Sequence, residues 1–208
     1  MNITSLVPAF LISFGLLIIA MTVHEFAHGL VAYKLGDPTA RLSGRLTLNP
    51  LAHIDLFWTL FLPLVLYLST AGQFVFGAAK PVPVNYWALK NPKRDIIWIS
   101  LAGPLANLAL AFITIQVLKF FPQRSIVTYL LFNLMTINVV LAVFNLIPIP
   151  PLDGSKVLMG LLPESLSRQY AFLERYGFIF LFVFIWLGAF DRILWPLVAI
   201  VIRTLGAT

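Results

Sequence analysis

His24, Glu25 and His28 form an H-E-x-x-H pattern within a long apolar stretch of the chain. Residues four apart lie on one face of a helix, so the two imidazoles can bind the same zinc ion. The glutamate between them is then placed to act as general base toward a water molecule. In a soluble chain the pattern indicates a metalloprotease. Within an apolar helix it predicts peptide hydrolysis inside a membrane, because ionisable residues there are costly and usually functional.

A catalytic zinc site needs a third protein ligand and an open position, so two histidines do not complete it. A third histidine six residues after His28 is ruled out, because Lys34 stands there. We favour Asp153, which follows the proline-rich stretch 148–151 at the end of an apolar run. A carboxylate at such a break is expected to face the protein interior or a cavity. The other candidates are His53, Asp55 and Glu164.

His53 and Asp55 leave three interpretations open. They could form a second metal site, control access of substrate, or cap the segment that follows them. We favour a cap or an interfacial hydrogen bond, because an aspartate just before a helix is a common N-terminal signal. They are therefore not predicted to be zinc ligands.

The composition indicates an integral membrane protein. Of the 208 residues, 60% are hydrophobic and only 11% are charged, whereas about a quarter of a soluble domain is charged. The absence of cysteine excludes disulfides and thiolate metal sites. The net charge of +6 arises from basic residues between apolar runs, so it predicts cytoplasmic loops rather than nucleic-acid binding. The uncharged runs are 1–23, 56–79, 96–118, 125–152 and 176–190.

The predicted fold is an all-α polytopic membrane protein with four to six transmembrane or re-entrant segments. Residues 1–208 are expected to form one domain, with a core at about 10–160 and a C-terminal helical segment at 165–208. Residues 39–49 alternate polar and apolar side chains, and prolines force residues 73–84 out of a helix. These two stretches predict a small membrane-associated β element.

Charge placement predicts the orientation in a multi-pass cell membrane. Basic residues follow the first and fourth runs and precede the third, so placing all three groups in the cytoplasm satisfies the positive-inside rule. This requires an even number of crossings between Lys34 and Lys80. Residues 56–72 are therefore predicted to be a re-entrant hairpin broken at Pro63, with a simple crossing as the alternative. The His24–His28 pair and Asp153 then both lie toward the cytoplasmic side.

Three motifs carry a resemblance to a known family: H-E-F-A-H at 24–28, G-P-x-x-N at 103–107 and N-L-I-P-I-P-P-L-D-G at 145–154. The chain resembles the site-2 proteases, which are intramembrane zinc metalloproteases, in the short bacterial or archaeal form. Neither a PDZ insertion nor an appended nucleotide-sensing domain is expected, and regulation by either is therefore not predicted. The matched region covers about residues 10–160.

The resemblance implies one zinc ion bound by His24, His28 and Asp153, with Glu25 as the catalytic base. It assigns Asn145 to substrate binding or to the oxyanion. Asn107 either contacts substrate or packs helices together, and packing is slightly favoured. The implied substrates are single-span membrane proteins within the lipid bilayer. A non-hydrolytic metal carrier or sensor is the alternative, but such a protein needs no general base at Glu25. The oligomeric state is not predicted.

Overall fold

Three long apolar helices dominate the chain. The computed structural model describes residues 3–70, 77–123, 125–188 and 190–206. Helix α1 spans Ile3–Lys34, α4 spans Pro92–Leu118 and α5 spans Ile126–Asn145. By length and composition, α4, α5 and the Phe10–Lys34 part of α1 can each cross a membrane. The prediction of a mainly helical protein is therefore confirmed for the part that the structure describes.

Shorter helices connect and follow these three. The chain forms a helical turn α2 (Thr39–Leu42), a 3₁₀ turn (Pro50–His53), a π-helical turn (Leu56–Phe61) that continues into α3 (Leu62–Ser69), and a 3₁₀ turn (Tyr86–Ala88). After α5 come α6 (Asp153–Leu161), α7 (Glu164–Phe172), a 3₁₀ turn (Leu173–Tyr176), α8 (Gly177–Trp186), a π-helical turn (Phe190–Leu194) and α9 (Trp195–Thr204).

Helices α1 and α4 pack antiparallel. His28 in α1 contacts the carbonyl of Ile99 in α4. Ala20 lies two turns before His28 in α1, and Asn107 lies two turns after Ile99 in α4. The carbonyl of Ala20 accepts a hydrogen bond from the side chain of Asn107. The end of α1 therefore lies beside the start of α4. A buried apolar cluster joins α4 and α5 to the C-terminal segment: Ala111, Ile115, Met135, Val139, Val143, Leu194 and Val198.

The predicted strand at 39–49 is wrong. The backbone N–H and hydroxyl of Thr39 both donate to the Asp37 carboxylate, which starts a helical turn at this point. Gly44 then adopts a positive φ of 66° and ends the turn. Local capping therefore overrides the alternating pattern of side chains, and none of the described residues is in a strand.

The predicted strand at 73–84 is not confirmed either. Residues 73–76 lie outside the described residues, and 77–85 form an irregular stretch that we call the strap. The strap bonds to loops and side chains instead of to a second strand: Ala78 N–H donates to the Trp58 carbonyl and Lys80 N–H to the His53 carbonyl. A regular ladder is not available, because prolines in the strap lack N–H donors.

The predicted break at Pro63 is also wrong. The chain is helical from Leu56 through Ser69, and Pro63 lies in the first turn of α3, where a proline is tolerated. At 1.5 Å per residue this apolar segment is roughly 21 Å long, which is short of the ~30 Å hydrocarbon core. Re-entry rather than crossing remains a prediction, because residues 71 and 72 lie outside the described part of the chain.

Candidate metal centre

Three potential ligand atoms converge at the interface of α1, α4 and α6. The Nε2 atoms of His24 and His28 lie 3.0 Å apart. The Oδ2 atom of Asp153 lies 3.0 Å from the first and 3.1 Å from the second. All three residues are buried. Among the residues that the structure describes, this is the only group of three or more histidines or carboxylates close enough together to hold a metal ion.

The hydrogen bonds of the two imidazoles fit a zinc site. Nδ1 of His24 lies 2.7 Å from the side-chain oxygen of Asn107, and Nδ1 of His28 lies 2.6 Å from the carbonyl of Ile99. Both partners are acceptors, so each Nδ1 carries the proton and each Nε2 presents a lone pair. Two lone pairs and a carboxylate at 3 Å repel one another unless a cation lies among them. His₂Asp with an open position is a donor set typical of catalytic zinc.

A polar chain across three helices fixes the orientation of His24. The Asn107 amide nitrogen donates to the Ala20 carbonyl and to the side-chain oxygen of Asn138 in α5, at 3.0 and 2.7 Å. The Asn107 oxygen must therefore face His24. Asn107 and Asn138 are fully buried. Asn107 lines neither cavity at the centre, so its geometry favours the packing interpretation over substrate contact.

Two glycines allow the helices to approach closely enough. A Cβ atom at Gly103 would overlap the Nε2 atom of His28 and lie 2.6 Å from Nε2 of His24. A Cβ atom at Gly154 would overlap the carbonyl of Leu146 at the end of α5. Gly103 therefore lets α4 pack against the imidazoles, and Gly154 lets the first turn of α6 dock on α5 and present Asp153.

Glu25 lies next to the ligands, and one of its oxygens is held by the strap. The N–H of Val82 donates to Oε2 of Glu25 at 2.8 Å. The strap is fixed in turn by Arg45, whose guanidinium donates to the carbonyls of Lys80 and Pro81 at 2.5 and 3.3 Å. Oε1 of Glu25 has no hydrogen-bond partner among the described residues. The Glu25 carboxylate is thus oriented with one oxygen available to a water molecule.

Two adjoining cavities open on this centre. One of about 150 Å³ is lined by all three ligands and by Glu25. A larger one of about 580 Å³ extends from His24 and Glu25 along the strap to α8. Trp58 and Phe178 stack across the wall of the larger cavity, with ring centroids 5.3 Å apart. Most of its lining is apolar: Met21, Trp58, Leu141, Phe144, Leu152, Phe178 and Leu181.

Asn145 and Lys156 line both cavities. The amide nitrogen of Asn145 donates to the Leu141 carbonyl at 2.9 Å, which leaves its second N–H available. The Lys156 ammonium has no hydrogen bond or ion pair among the described residues. Burial lowers the pKa of Lys156, but nearby Tyr86, Asp153, Glu174 and Glu25 outweigh that effect and raise it above its usual value.

His53 and Asp55 lie away from the three ligands. The Asp55 carboxylate accepts the N–H groups of Phe57 and Trp58, both at 2.9 Å, and so caps the helical segment that follows. Nε2 of His53 bonds to the carbonyl of Thr47 at 2.9 Å. The geometry agrees with the capping interpretation, and neither residue belongs to the metal-ligand group found in the described chain.

Three residues at the centre are not indicated by the sequence patterns: Asn138, Val82 and Lys156. Lys156 had a usable signal, because it is three residues after Asp153 and shares its helix face. Asn138 was detectable as an amide in an apolar run. Val82 contributes through its backbone N–H, which side-chain patterns do not report.

Comparison with known proteins identifies the class. The sequence matches peptidase family M50 over residues 9–132 and 121–187, and therefore belongs to this family. The resemblance to site-2 proteases is confirmed. No solved structure gives a significant match.

Curated relatives share this assignment. The chain is 39% identical to YwhC of Bacillus subtilis over 204 residues, which is 93% of this chain and 87% of the relative. It is 32% identical to Rip2 of Mycobacterium tuberculosis H37Rv over 168 residues, which is 80% of this chain and 63% of the relative. Both carry zinc metalloprotease as a provisional name. The family and the three apolar helices make this chain a site-2 protease-like membrane metalloprotease with Zn²⁺ as its metal.

Proposed function

We propose that this protein is an intramembrane zinc endopeptidase that hydrolyses peptide bonds in or near the transmembrane helices of single-span membrane proteins. The observation that carries the proposal is the convergence of His24, His28 and Asp153 on a cavity that Glu25 also lines. The Phe10–Lys34 candidate span holds three of these four residues. Ligands without a general base would suit a carrier or a sensor, whereas an oriented Glu25 suits hydrolysis.

In the proposed mechanism, His24, His28 and Asp153 hold Zn²⁺, which when bound acidifies a water molecule and polarises the scissile carbonyl. Glu25 accepts the proton of the attacking water at its available oxygen. The same carboxylate then passes this proton to the leaving amine. The strap fixes the other oxygen, so Glu25 keeps its position through both transfers.

Asn145 and Lys156 are the proposed donors to the negative charge that develops on the carbonyl oxygen. Both lie on the wall shared by the two cavities, and both have an N–H without a described acceptor. A donor fixed before the reaction begins stabilises developing charge without reorganisation, and its loss typically costs ~10²–10³ in rate. The motif at 145–154 points to Asn145 alone, and the cavity adds the ammonium of Lys156.

The larger cavity is the proposed binding site for the substrate. A peptide bond inside a helix is already hydrogen-bonded, so the substrate must unwind before attack. Extended backbone can then lie along the strap, whose Gly77, Ala78, Ala79 and Pro81 line this cavity. The apolar wall of the cavity accommodates the side chains of a membrane-spanning sequence.

We place the protein in a bacterial or archaeal cell membrane, with its active site toward the cytoplasmic side. The end of α1 and the start of α4 lie together, and both carry basic residues, as cytoplasmic ends do. His24 and His28 lie within three turns of Lys34 at that end.

The test uses detergent-purified protein and a reporter with one apolar helix of about 20 residues containing a central Gly-Ser pair. Wild type is expected to contain about one zinc per chain and to cleave the reporter within the apolar helix. Glu25→Gln should retain zinc and lose cleavage, and Asp153→Ala should lose zinc. Elemental analysis and mass spectrometry of the fragments provide the readouts.

Cleavage by Glu25→Gln would contradict the mechanism, and zinc retained without Asp153 would contradict the ligand set. A zinc-loaded wild type that moves metal across vesicles but cleaves no reporter would instead identify a carrier.

A further inference from the structure

A notch of about 370 Å³ lies between the end of α1 and the start of α4, away from the metal centre. Its walls combine the last residues of α1, the loop before α4 and the first two turns of α4. The lining residues are Lys34, Leu35, Gly36, Lys90, Asn91, Arg94, Asp95 and Trp98.

The notch is electropositive. The side chains of Lys34, Lys90 and Arg94 have no ion pair or hydrogen bond among the described residues. Asp95 is the one acidic residue of the lining, but it is 5% exposed and its Oδ2 accepts the N–H of Asn91 at 3.0 Å. Three cations against one inward-turned carboxylate leave the notch with a net charge of +2.

The notch lies at the depth of a membrane surface. Lys34 ends one candidate span and Pro92 begins another, and antiparallel packing brings these two ends together. Trp98 is one turn after Arg94 on the same face of α4 and is 51% exposed. An exposed tryptophan within two turns of the end of an apolar helix is typical of the interface between hydrocarbon and headgroups.

We propose that this notch binds the phosphate group of an anionic lipid headgroup. The planar guanidinium of Arg94 can donate two parallel hydrogen bonds to phosphate oxygens, while Lys34 and Lys90 supply compact charges from the other walls. The start of α4, a helix of 27 residues, adds the positive end of its dipole. A free phosphate ion shares this chemistry, but the depth of the notch and Trp98 favour the lipid. The proposal is independent of hydrolysis.

The test is native mass spectrometry of delipidated protein titrated with phosphatidylglycerol. Lys90→Gln/Arg94→Gln removes two cations from the notch. The matched control, Lys80→Gln/Lys93→Gln, removes two exposed cations outside its lining from the strap and from the same turn of α4. We expect one tightly retained lipid in wild type and in the control. In the notch variant, the affinity for phosphatidylglycerol should fall by about tenfold or more. Phosphatidylcholine, which has no net charge, should not be retained.

Separate measurements distinguish a lipid phosphate from inorganic phosphate. They also distinguish binding at the notch from nonspecific attraction of anions to the positive charge of the protein. Inorganic phosphate that displaces the lipid at millimolar concentration supports the shared chemistry at the notch. Inorganic phosphate that binds where phosphatidylglycerol does not would overturn the lipid as ligand. Equal loss of lipid in both double variants would overturn the site, because the binding would then follow total charge alone.

Discussion

Gly103 shows how a residue without a side chain controls the chemistry of the centre. Its Cα faces both imidazoles, and a Cβ atom added at this position would overlap their Nε2 atoms. The motif G-P-x-x-N thus combines two functions on one helix, since Gly103 gives His24 and His28 room and Asn107 orients His24. The close approach of α4 is part of the zinc site.

Gly103→Ala is expected to displace the imidazoles and to lower zinc content and cleavage together. Inserting a methyl group into a packed interior costs ~1–3 kcal/mol, which corresponds to roughly tenfold or greater loss of zinc affinity. Gly15→Ala is the matched control, because a Cβ atom there has no neighbour within 4 Å. Zinc titration of both purified variants checks the prediction, and a Gly103→Ala variant with wild-type affinity would contradict it.

Lys156→Met should reduce the turnover number by about 10²-fold with zinc content unchanged. Methionine keeps the length and the apolar stem of the side chain but removes the ammonium that faces the cavities. The Michaelis constant should change little, because the charge on the carbonyl oxygen develops only in the transition state. Steady-state kinetics measure both parameters, and Lys156→Arg should recover part of the loss. Full turnover by the methionine variant would exclude Lys156 as a donor.

At this scale the sequence predicted most of what the structure places at the centre. The types and spacing of His24, Glu25 and His28 define the chemistry, and the proline-rich break before Asp153 identifies the residue that joins them. Lys156 was not recognised because a lysine between apolar runs also fits a cytoplasmic loop. The position of Lys156 on the wall of both cavities distinguishes a functional lysine from a loop lysine.

The strap is the element that links the membrane loops to catalysis. Its backbone bonds to the residues before α3, to Arg45 and to Glu25. It therefore connects the position of Glu25 to Arg45 and to the segment before α3. Because the strap is held through its backbone N–H groups, it should tolerate many side-chain substitutions. A further proline would remove one of these donors.

Val82→Pro should lower turnover by roughly 10–100-fold while leaving zinc bound. The substitution removes the N–H that holds Glu25, and a hydrogen bond to a charged group contributes ~1.5–3 kcal/mol. Val82→Ala is the control, because it shortens the side chain but keeps the donor. Kinetics and zinc content of both variants are the measurements. Comparable losses in both would mean that packing of the Val82 side chain, rather than its N–H, is responsible.

The errors of prediction lie among the short elements. Length and the absence of charge were enough to predict α4 and α5, because about 20 apolar residues leave few alternatives. At 39–49, side-chain alternation was outweighed by one Asp37 carboxylate bonding to Thr39. At Pro63, a proline that usually ends a helix lies instead in the first turn of α3. Such outcomes depend on one or two hydrogen bonds and are not encoded in a periodic pattern.

The distribution of lysines along the chain carries the predicted topology of the whole molecule. Lys34 ends α1, Lys80 lies in the strap and Lys93 lies in the first turn of α4, whereas Lys119 follows the opposite end of α4. The proposed topology requires the first three on the cytoplasmic side and Lys119 outside.

Cysteine labelling tests this topology, since the chain has no cysteine of its own. In intact cells, a membrane-impermeant maleimide should label Lys119→Cys but not Lys34→Cys, Lys80→Cys or Lys93→Cys. All four should react after lysis. Opposite labelling of Lys34→Cys and Lys80→Cys would show that residues 56–72 cross the membrane rather than re-enter.

The separation of the ligands along the chain has a consequence for biosynthesis. Asp153 follows His28 by 125 residues, so a ribosome that has just delivered α1 has made only two of the three donors. At about 5–20 residues per second, the third is synthesised roughly 6–25 seconds later. During that interval the nascent chain has a general base but an incomplete metal site. The insertion machinery and the neighbouring nascent helices are thus not exposed to a finished protease until α6 docks.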